Sequence, residues 1–331
     1  MRAVYGPGRY RCAVDRPAHI PVLLEEMLRA LGPRPGETFL DGTAGLGGHA
    51  LAVAQRLGPA GTVVLNDADP GNLRLAEERL RAGVSPAPQF VAIQGNFADA
   101  PRRLAQQGLA ADMVLADLGF SSAQMEDAAR GLSFQRDGPL DMRFDPGSPV
   151  TAAELVGSLP EAELTRIIRD LGEEPAARRI AQKLVASRKL APILTTGQLA
   201  DIIRSAVGRR HGRGREIDPA TKTFQALRIA VNDELGSLGA LLAAVERSAA
   251  EVAAGRPSWL RPGARIAIIS FHSLEDRPVK RSFAGLAREG LAQNLTGKPI
   301  AADEEELSAN PRARSAKLRA IRVGGAGEVG G

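Results

Sequence analysis

Several residue types and patterns are scarce in this chain of 331 residues, and each scarcity excludes a class of protein. The single cysteine, Cys12, excludes a disulfide framework and any cysteine-based zinc site, and it fits a reducing compartment. Nine Phe, two Tyr and one Trp are few for a protein that stacks nucleic acid along an aromatic platform. No apolar stretch approaches the roughly 18 residues of a membrane span, and residues 1–18 show no signal peptide. We therefore expect a soluble cytoplasmic protein.

The residue types that are present indicate a folded protein with one or two domains and a basic surface. Apolar residues make up 44% of the chain and charged residues 24%, which is enough to bury a sizeable core. The net charge of +5 favours a polyanionic partner if the basic residues cluster, and has no such meaning if they are dispersed. The four histidines, His19, His49, His211 and His272, have no metal-site spacing, so no metal site is predicted.

The amino-terminal third alternates strands with helices. Apolar strands are predicted at 38–41, 61–65, 90–93 and 112–116, and helical patterns separate them. This alternation predicts an α/β fold with a parallel sheet, which binds its ligand at the carboxyl ends of the strands. Each of these strands ends in an acidic residue or a polar cluster, as such a site requires.

The middle of the chain has a different character. A Gly- and Pro-rich stretch at 131–149 predicts a loop that covers a site, and helices without strands follow up to residue 207. One long helix is predicted at 224–252, a buried strand at 264–270, and a final edge strand at 318–323. These late strands belong with the first sheet. We therefore predict an α/β domain at 18–123 and 223–323, an inserted helical substrate-recognition domain at 124–222, an N-terminal extension at 1–17 and a flexible tail at 324–331.

A glycine loop follows the first strand. Gly45-x-Gly47-x-x-Ala50 matches the dinucleotide fingerprint, with Asp67 at the ribose-binding spacing, although such glycines can also serve only a tight turn. Asp41, just before the loop, would repel a pyrophosphate and suits a cationic ligand. S-adenosylmethionine is cationic and has no phosphate, so we predict it rather than NAD. Phe97 could contact its sulfonium by a cation–π interaction, or pack in the core.

The fourth strand ends in Asp117-Leu-Gly-Phe120, which resembles the loop of enzymes that methylate exocyclic amines of nucleobases. Such an amine is a poor nucleophile because its lone pair is delocalised into the ring. Acceptors on its N–H groups favour the nucleophilic form, and transfer then depends on positioning. Asp117 could supply an acceptor and Phe120 could pack on a base, while an Asp-x-Gly turn is also a common structural feature.

Seven motifs occur in the order found in a known family. They are His19-x-Pro-Val-Leu-Leu-x-Glu26, Asp41-Gly-Thr-x-Gly-x-Gly-Gly-His49, Asp117-Leu-Gly-x-Ser-Ser-x-Gln124, Phe134-x-x-Asp-Gly-Pro-Leu-Asp-Met-Arg143, Thr223-Phe-Gln-Ala-Leu-Arg228, Ser270-Phe-His-Ser-Leu-Glu-Asp-Arg277 and Asn310-Pro-Arg-Ala-Arg-Ser315. Over residues 18–322 the chain resembles the MraW/RsmH family, which methylates N4 of a cytosine in the decoding region of 16S ribosomal RNA.

The resemblance implies a Rossmann-like class I methyltransferase sheet with an inserted helical domain. It also implies that S-adenosylmethionine contacts Gly47, Gly48, His49, Asp67, Phe97, Asp117 and Gln124. We add Asp41 and Gly45 to this cofactor site from the loop argument above. The implied partner is 16S ribosomal RNA or the small ribosomal subunit; no membrane partner is expected, and a homodimer is left open.

Further residues are candidates for chemistry or RNA contact, each with a structural alternative. His272 could take the released proton, or be a hydrogen-bonded histidine at a strand end. Asp141 could accept from the cytosine amine and Arg143 hold a phosphate, or the two could form an internal salt bridge. Seven more arginines could bind RNA, or could simply be solvent-exposed charges. They are Arg209, Arg210, Arg213, Arg215, Arg277, Arg312 and Arg314. The rival functions are an NAD-linked oxidoreductase, another nucleic-acid amino-methyltransferase and a non-catalytic RNA-binding module.

Overall fold

The structure, a computed structural model, describes residues 20–208 and 218–324. Within these residues seven strands form one sheet in the order β3-β2-β1-β4-β5-β7-β6. The strands are β1 (Thr38–Asp41), β2 (Thr62–Asp67), β3 (Gln89–Gln94), β4 (Ala111–Asp117), β5 (Leu260–Ser270), β6 (Ala292–Asn294) and β7 (Lys317–Val323). The first five are parallel, whereas β7 runs antiparallel to both β5 and β6. The predicted Rossmann-like α/β fold is confirmed.

Helices cover both faces of this sheet. They are α1 (Leu24–Leu31), α2 (Gly48–Leu57), α3 (Pro70–Gly83), α4 (Ala100–Gln106), α11 (Glu234–Ala253), α12 (Ser273–Arg288) and α13 (Glu304–Ala309), and the short helix α5 (Ser122–Glu126) follows β4. Alternate residues of β4 point to opposite faces, so Val114 lies in one buried apolar cluster with α11, and Met113 and Leu115 lie in another with α1 and α2. Strands buried on both faces are near-continuous apolar runs, which is why the sequence predicted them well.

A second group of helices has its own core. It consists of α6 (Ala152–Ser158), α7 (Glu161–Gly172), α8 (Ala177–Arg188), α9 (Thr196–Val207) and α10 (Ala220–Asn232). Their apolar faces form a third cluster, which also takes in Leu132, Leu140 and Met142 from the Gly- and Pro-rich loop. Helix α10 packs mainly on α7, although it spans the predicted boundary at residue 222. The domain boundaries stay a prediction.

Two predicted elements differ in the structure. The single helix predicted at 224–252 is two helices, α10 and α11, because Asp233 takes a left-handed backbone conformation with φ of 47°. The strand predicted at 318–323 is present as β7, but its predicted position at the edge of the sheet is wrong. β7 is an inner strand, because the short β6 pairs with its outer side. A three-residue strand with little apolar character, Ala292–Asn294, carries no detectable sequence signal.

Some predictions lie outside the described residues: the N-terminal extension at 1–17, the tail beyond Gly324, and the Arg-rich loop at 209–217. Within residues 20–208 and 218–324, no helix has the length and apolar character needed to cross a membrane.

Candidate active site

A cavity of about 340 Å³ opens at the carboxyl edge of the sheet. Its walls come from the loops after β1, β2, β3 and β4, with additions from the Gly- and Pro-rich loop and the junction of α10 and α11. The strand order reverses between β1 and β4, and parallel α/β sheets bind ligands at that switch point. The volume suits a small organic ligand.

The glycine loop holds its shape by backbone hydrogen bonds and close packing. Gly45 has a φ of 52°, and its N–H donates to Asp67 Oδ2 at 2.7 Å. A methyl group on Gly48 would lie 2.5 Å from Pro21 Cγ, so only glycine fits there. Gly45 and Gly48 line the cavity, whereas Gly47 packs against Ala76 of α3. Gly47 therefore shapes the loop from the side away from the cavity.

Two carboxylates lie near this loop, at different depths. Asp67 lines the cavity and accepts from the backbone N–H groups of Gly45 and Asp69, at 2.7 and 2.8 Å. Burial raises the pKa of Asp67 to about 6 despite these bonds. Asp41 is only 1% exposed, accepts from the Thr43 N–H at 3.2 Å and is not part of the cavity wall. Burial raises the pKa of Asp41 to about 7. Because Asp41 lies beneath the loop and off the cavity wall, it can act on a ligand only through the charge of its ionised form.

Asp117 lines the cavity at the end of β4. Its backbone N–H donates to Thr43 Oγ1 at 2.7 Å, and its Oδ2 lies 3.8 Å from His49 Nδ1. Its Oδ1 is buried without a hydrogen-bond partner within residues 20–208 and 218–324. Burial, and then the nearby charges of Asp41 and Glu275, raise the pKa of Asp117 well above its ordinary value. A buried unsatisfied carboxylate oxygen beside a cavity is suited to an N–H group of a ligand.

The remaining predicted cofactor residues also meet at this cavity. His49 lines it and its Nε2 lies 2.9 Å from the Val22 carbonyl oxygen. Phe97 both lines the cavity and packs on the first apolar cluster, so the two alternatives for it coexist. Gln124 forms a capping box with Ser121 at the start of α5 and lines the cavity.

The residues that hold Gln124 in place, Asp69 and Arg130, were not predicted from the sequence. Gln124 Nε2 donates to Asp69 Oδ2 at 3.0 Å, and Arg130 Nη1 donates to the same oxygen at 2.7 Å. Arg130 also donates to the carbonyl oxygens of Arg143 and Phe144. This arginine thereby joins the second strand's loop to the Gly- and Pro-rich loop. No local pattern marks it, because its partners are distant in sequence.

The far wall of the cavity is aromatic and charged. The rings of Phe120 and Phe144 are 6.3 Å apart, and Arg228 Cζ lies 4.9 Å from the centre of the Phe120 ring. Arg228 donates to both carboxylate oxygens of Glu234, at 2.8 and 3.0 Å. Glu234 lines the cavity, and burial raises its pKa although Arg228 opposes this shift. Glu234 was not predicted from the sequence, although the polar run 232–234 inside a helical pattern was an available signal.

The other predicted catalytic residues lie off the cavity wall. His272 Nε2 is 3.2 Å from Glu275 Oε1, in an orientation that forms no regular hydrogen bond. Asp141 is engaged by Arg143, whose Nε and Nη2 donate to its two oxygens at 2.8 and 2.7 Å. Arg143 also donates to the Ser148 carbonyl oxygen. The structure thus forms the internal salt bridge, and the catalytic roles of Asp141 and His272 stay predictions.

The described members of the predicted RNA-binding arginines have different surroundings. Arg312 lines the cavity and lies 3.1 Å from Glu126, and Arg277 lies 3.4 Å from Glu173. Arg314 is exposed. Arg209, Arg210, Arg213 and Arg215 lie outside the described residues. In the part of the chain that the structure describes, no group of three or more His, Cys, Asp or Glu could hold a metal ion.

Comparison with known proteins gives a consistent result. Residues 16–323 match the model of a family described as the MraW methylase family. A Ribosomal RNA small subunit methyltransferase H from Pelobacter propionicus is 48% identical over 321 residues, covering 92% of this chain and 97% of that protein. A protein of the same name from Acidobacterium capsulatum is 45% identical over 311 residues, covering 93% of this chain and 99% of its own.

Proposed function

Because the chain belongs to the MraW methylase family and is an S-adenosylmethionine-dependent methyltransferase, we propose that it methylates N4 of a specific cytosine in the decoding region of 16S ribosomal RNA. Its relatives carry the name of small-subunit ribosomal RNA methyltransferases and match it over almost their whole length. The observation that carries the finer proposal is Asp117, whose buried Oδ1 lacks a partner among the described residues.

The residues of the cavity fit S-adenosylmethionine. Asp67 would accept hydrogen bonds from the ribose hydroxyls, and the glycine loop brings its backbone close to the ligand. Phe97 offers an aromatic ring to a cation, and Asp41 and Asp67 add negative charge to the site in their ionised forms. When bound, S-adenosylmethionine supplies a methyl group attached to a positively charged sulfur.

Asp117 would act on the amine of the target base. Its Oδ1 would accept one N–H of the exocyclic amine and draw the nitrogen lone pair out of conjugation with the ring. After the methyl group is attached, the nitrogen carries a positive charge and must lose a proton. The ionised form of Asp117 would accept that proton, so that an O–H bond forms as an N–H bond breaks, and its raised pKa makes it a stronger base than an ordinary carboxylate.

The aromatic wall would hold the base. Phe120 can pack on a flat ring extruded from the RNA, and Phe144 lies beside it. The Arg228–Glu234 pair fixes Phe120 from behind, because the guanidinium lies over the ring. Glu234 also presents a carboxylate to the cavity, where it could accept from the base.

Mapping methyl groups on 16S ribosomal RNA by mass spectrometry tests this function. RNA from cells that lack the protein should gain one methyl group, at N4 of one cytosine in the decoding region, when the purified protein and S-adenosylmethionine are added. Methylation of adenine, or of another position of cytosine, would support a different nucleic-acid amino-methyltransferase. Cofactor binding without any RNA product would contradict the proposed activity.

Replacement of Asp67 by alanine is expected to weaken S-adenosylmethionine binding by roughly 10- to 100-fold, since hydrogen bonds to a charged group contribute about 1.5–3 kcal/mol. The alanine variant also frees the Gly45 N–H, which Asp67 now accepts at 2.7 Å. Isothermal titration calorimetry would measure the affinity. Asp67→Asn is the matched control, because it keeps an acceptor for Gly45 and should lose less. An alanine variant that binds as tightly as the parent would contradict this role.

The affinity for S-adenosylmethionine is expected to fall as the pH is lowered from 7 to 5. In the ligand-free protein the pKa of Asp67 is about 6, so the carboxylate is mostly protonated at pH 5. The cofactor's hydroxyls and positive charge favour the ionised form, so weaker binding by about tenfold at pH 5 follows from the ionised fraction. Calorimetry across this range measures the change, and Asp67→Asn should reduce it to the part contributed by Asp41, whose pKa is about 7. A constant affinity, or a higher one at pH 5, would refute the assignment.

A further inference from the structure

Helix α8 belongs to a stretch of the chain that carries only positive charge. Residues 175–200 contain Arg178, Arg179, Lys183, Arg188 and Lys189, and no Asp or Glu. This stretch therefore carries charge of one sign. The preceding helix α7 differs, because Glu161, Glu163 and Asp170 accompany its arginines.

Three basic residues of α8, together with Lys189 directly after its end, share its outer face. Ile180, Ala181 and Leu184 are buried in the third apolar cluster, whereas Arg178, Arg179, Lys183 and Lys189 are exposed. At 3.6 residues per turn, the four exposed residues fall within an arc of about 140°. The helix thus presents one continuous basic surface, which we call the α8 face and define by these four residues.

No ion pair within residues 20–208 and 218–324 neutralises the α8 face. The exposed arginines of the neighbouring helices do have acidic partners, as Arg166 has Glu163 at 2.9 Å and Arg204 has Asp218 at 2.8 Å. The carboxylate of Glu173, close in sequence, accepts instead from Ser273 and Arg277.

The positions of these charges oppose the local stability of the helix. Arg178 and Arg179 lie in the first turn, where the helix dipole is positive and acidic residues are favoured, and that turn contains none. Arg179 and Lys183 are also like charges four residues apart, which repel on a helix surface. The helix itself therefore gives no reason for this pattern, whereas a bound polyanion would.

We propose that the α8 face binds the phosphate backbone of the RNA substrate at a distance from the methylated base. This inference rests on the proposed function for its choice of polyanion. Helix α8 packs on α7 and α9, and those helices pack on α10, the end of which lines the cavity. With packed helix axes 8–10 Å apart, one helix separates α8 from α10, and their axes lie at most about 20 Å apart. The α8 face therefore contacts nucleotides several positions from the target.

An anionic membrane surface fits these observations less well than RNA. A helix that lies on a membrane turns its apolar side to the lipid. The apolar side of α8 is buried against α7 and α9 in the third cluster, so the helix cannot turn it to lipid. The exposed apolar side chains of Leu190 and Leu194 follow the helix and do not belong to its apolar side.

The test measures methylation of a long and a short RNA substrate by the parent enzyme and by the triple variant Arg178→Gln/Arg179→Gln/Lys183→Gln. With 16S ribosomal RNA, KM should rise roughly 100-fold, and the slope of log affinity against log salt should fall by about two to three, one unit per lost phosphate contact. With an oligonucleotide of the target cytosine and two nucleotides on each side, kcat/KM should not change. The affinity for S-adenosylmethionine should also stay the same.

A control with the same charge change lies on the other group of helices. Arg247, Arg281 and Arg288 are exposed on α11 and α12, and their replacement by glutamine should leave KM for 16S ribosomal RNA within about threefold. Equal effects of the two triple variants would overturn the proposal, as would a loss of activity on the short oligonucleotide. The proposal would also be overturned if the α8 triple variant lost binding to phosphatidylserine vesicles while its RNA binding stayed unchanged. If the parent enzyme methylates another nucleotide, only the proposed function is refuted. The salt dependence of RNA binding by the two triple variants would still decide whether the α8 face binds RNA.

Discussion

Replacement of Asp117 by alanine is expected to lower kcat by a factor of about 10²–10⁴, the usual contribution of a positioned acid or base. The alanine variant loses the Asp117 acceptor for the amine N–H and the carboxylate that would receive the proton. The affinity for S-adenosylmethionine should change far less than kcat, because Asp67 and the glycine loop remain. Single-turnover methylation of 16S ribosomal RNA measures the first quantity and calorimetry the second.

The same substitution should not destabilise the fold. Asp117 Oδ1 is buried without a partner among the described residues, so its removal relieves a desolvation penalty and should maintain or raise the melting temperature. Asp112→Asn is the matched control on the same strand, because its Oδ2 accepts from the Thr38 N–H at 2.8 Å, at the opposite end of β4. That variant should keep full kcat. Full activity in the Asp117 variant would remove the basis for the proposed chemistry.

Replacement of Arg228 by methionine is expected to destabilise the protein by about 3–5 kcal/mol, since it leaves the buried Glu234 carboxylate without its partner. The loss should be smaller at pH 5 than at pH 8, because protonation of Glu234, whose pKa is already raised, removes the uncompensated charge. Urea unfolding at the two pH values measures both effects.

The double variant Arg228→Met/Glu234→Leu separates the charge from the packing. Apolar replacement of a complete buried pair is often neutral or stabilising, so the double variant should recover most of the lost stability. The exposed pair of Arg166 and Glu163 provides the control, and Arg166→Met should cost less than about 1 kcal/mol. If Arg228→Met costs no more than this control, the pair does not have the structural role assigned to it.

The sequence alone determined the buried parallel strands of the sheet and the chemical character of the site, but not the short β6 at its edge. Strands β1 and β4 are buried on both faces, so they appear as near-continuous apolar runs. A residue just after such a strand must lie at the carboxyl edge of the sheet. Asp67 and Asp117 therefore lie together at the cavity, although they are fifty positions apart in the chain.

Only the tertiary structure decided how deep each group lies and what it contacts. Asp41 and Asp67 both end strands, but the loop covers Asp41 and leaves Asp67 on the cavity wall. Arg130 reaches Asp69 across sixty-one positions, and the left-handed turn at Asp233 brings Glu234 to Arg228. Burial and contacts of this kind depend on the packing of distant segments, whereas a sequence pattern reports only on the periodicity of its own element.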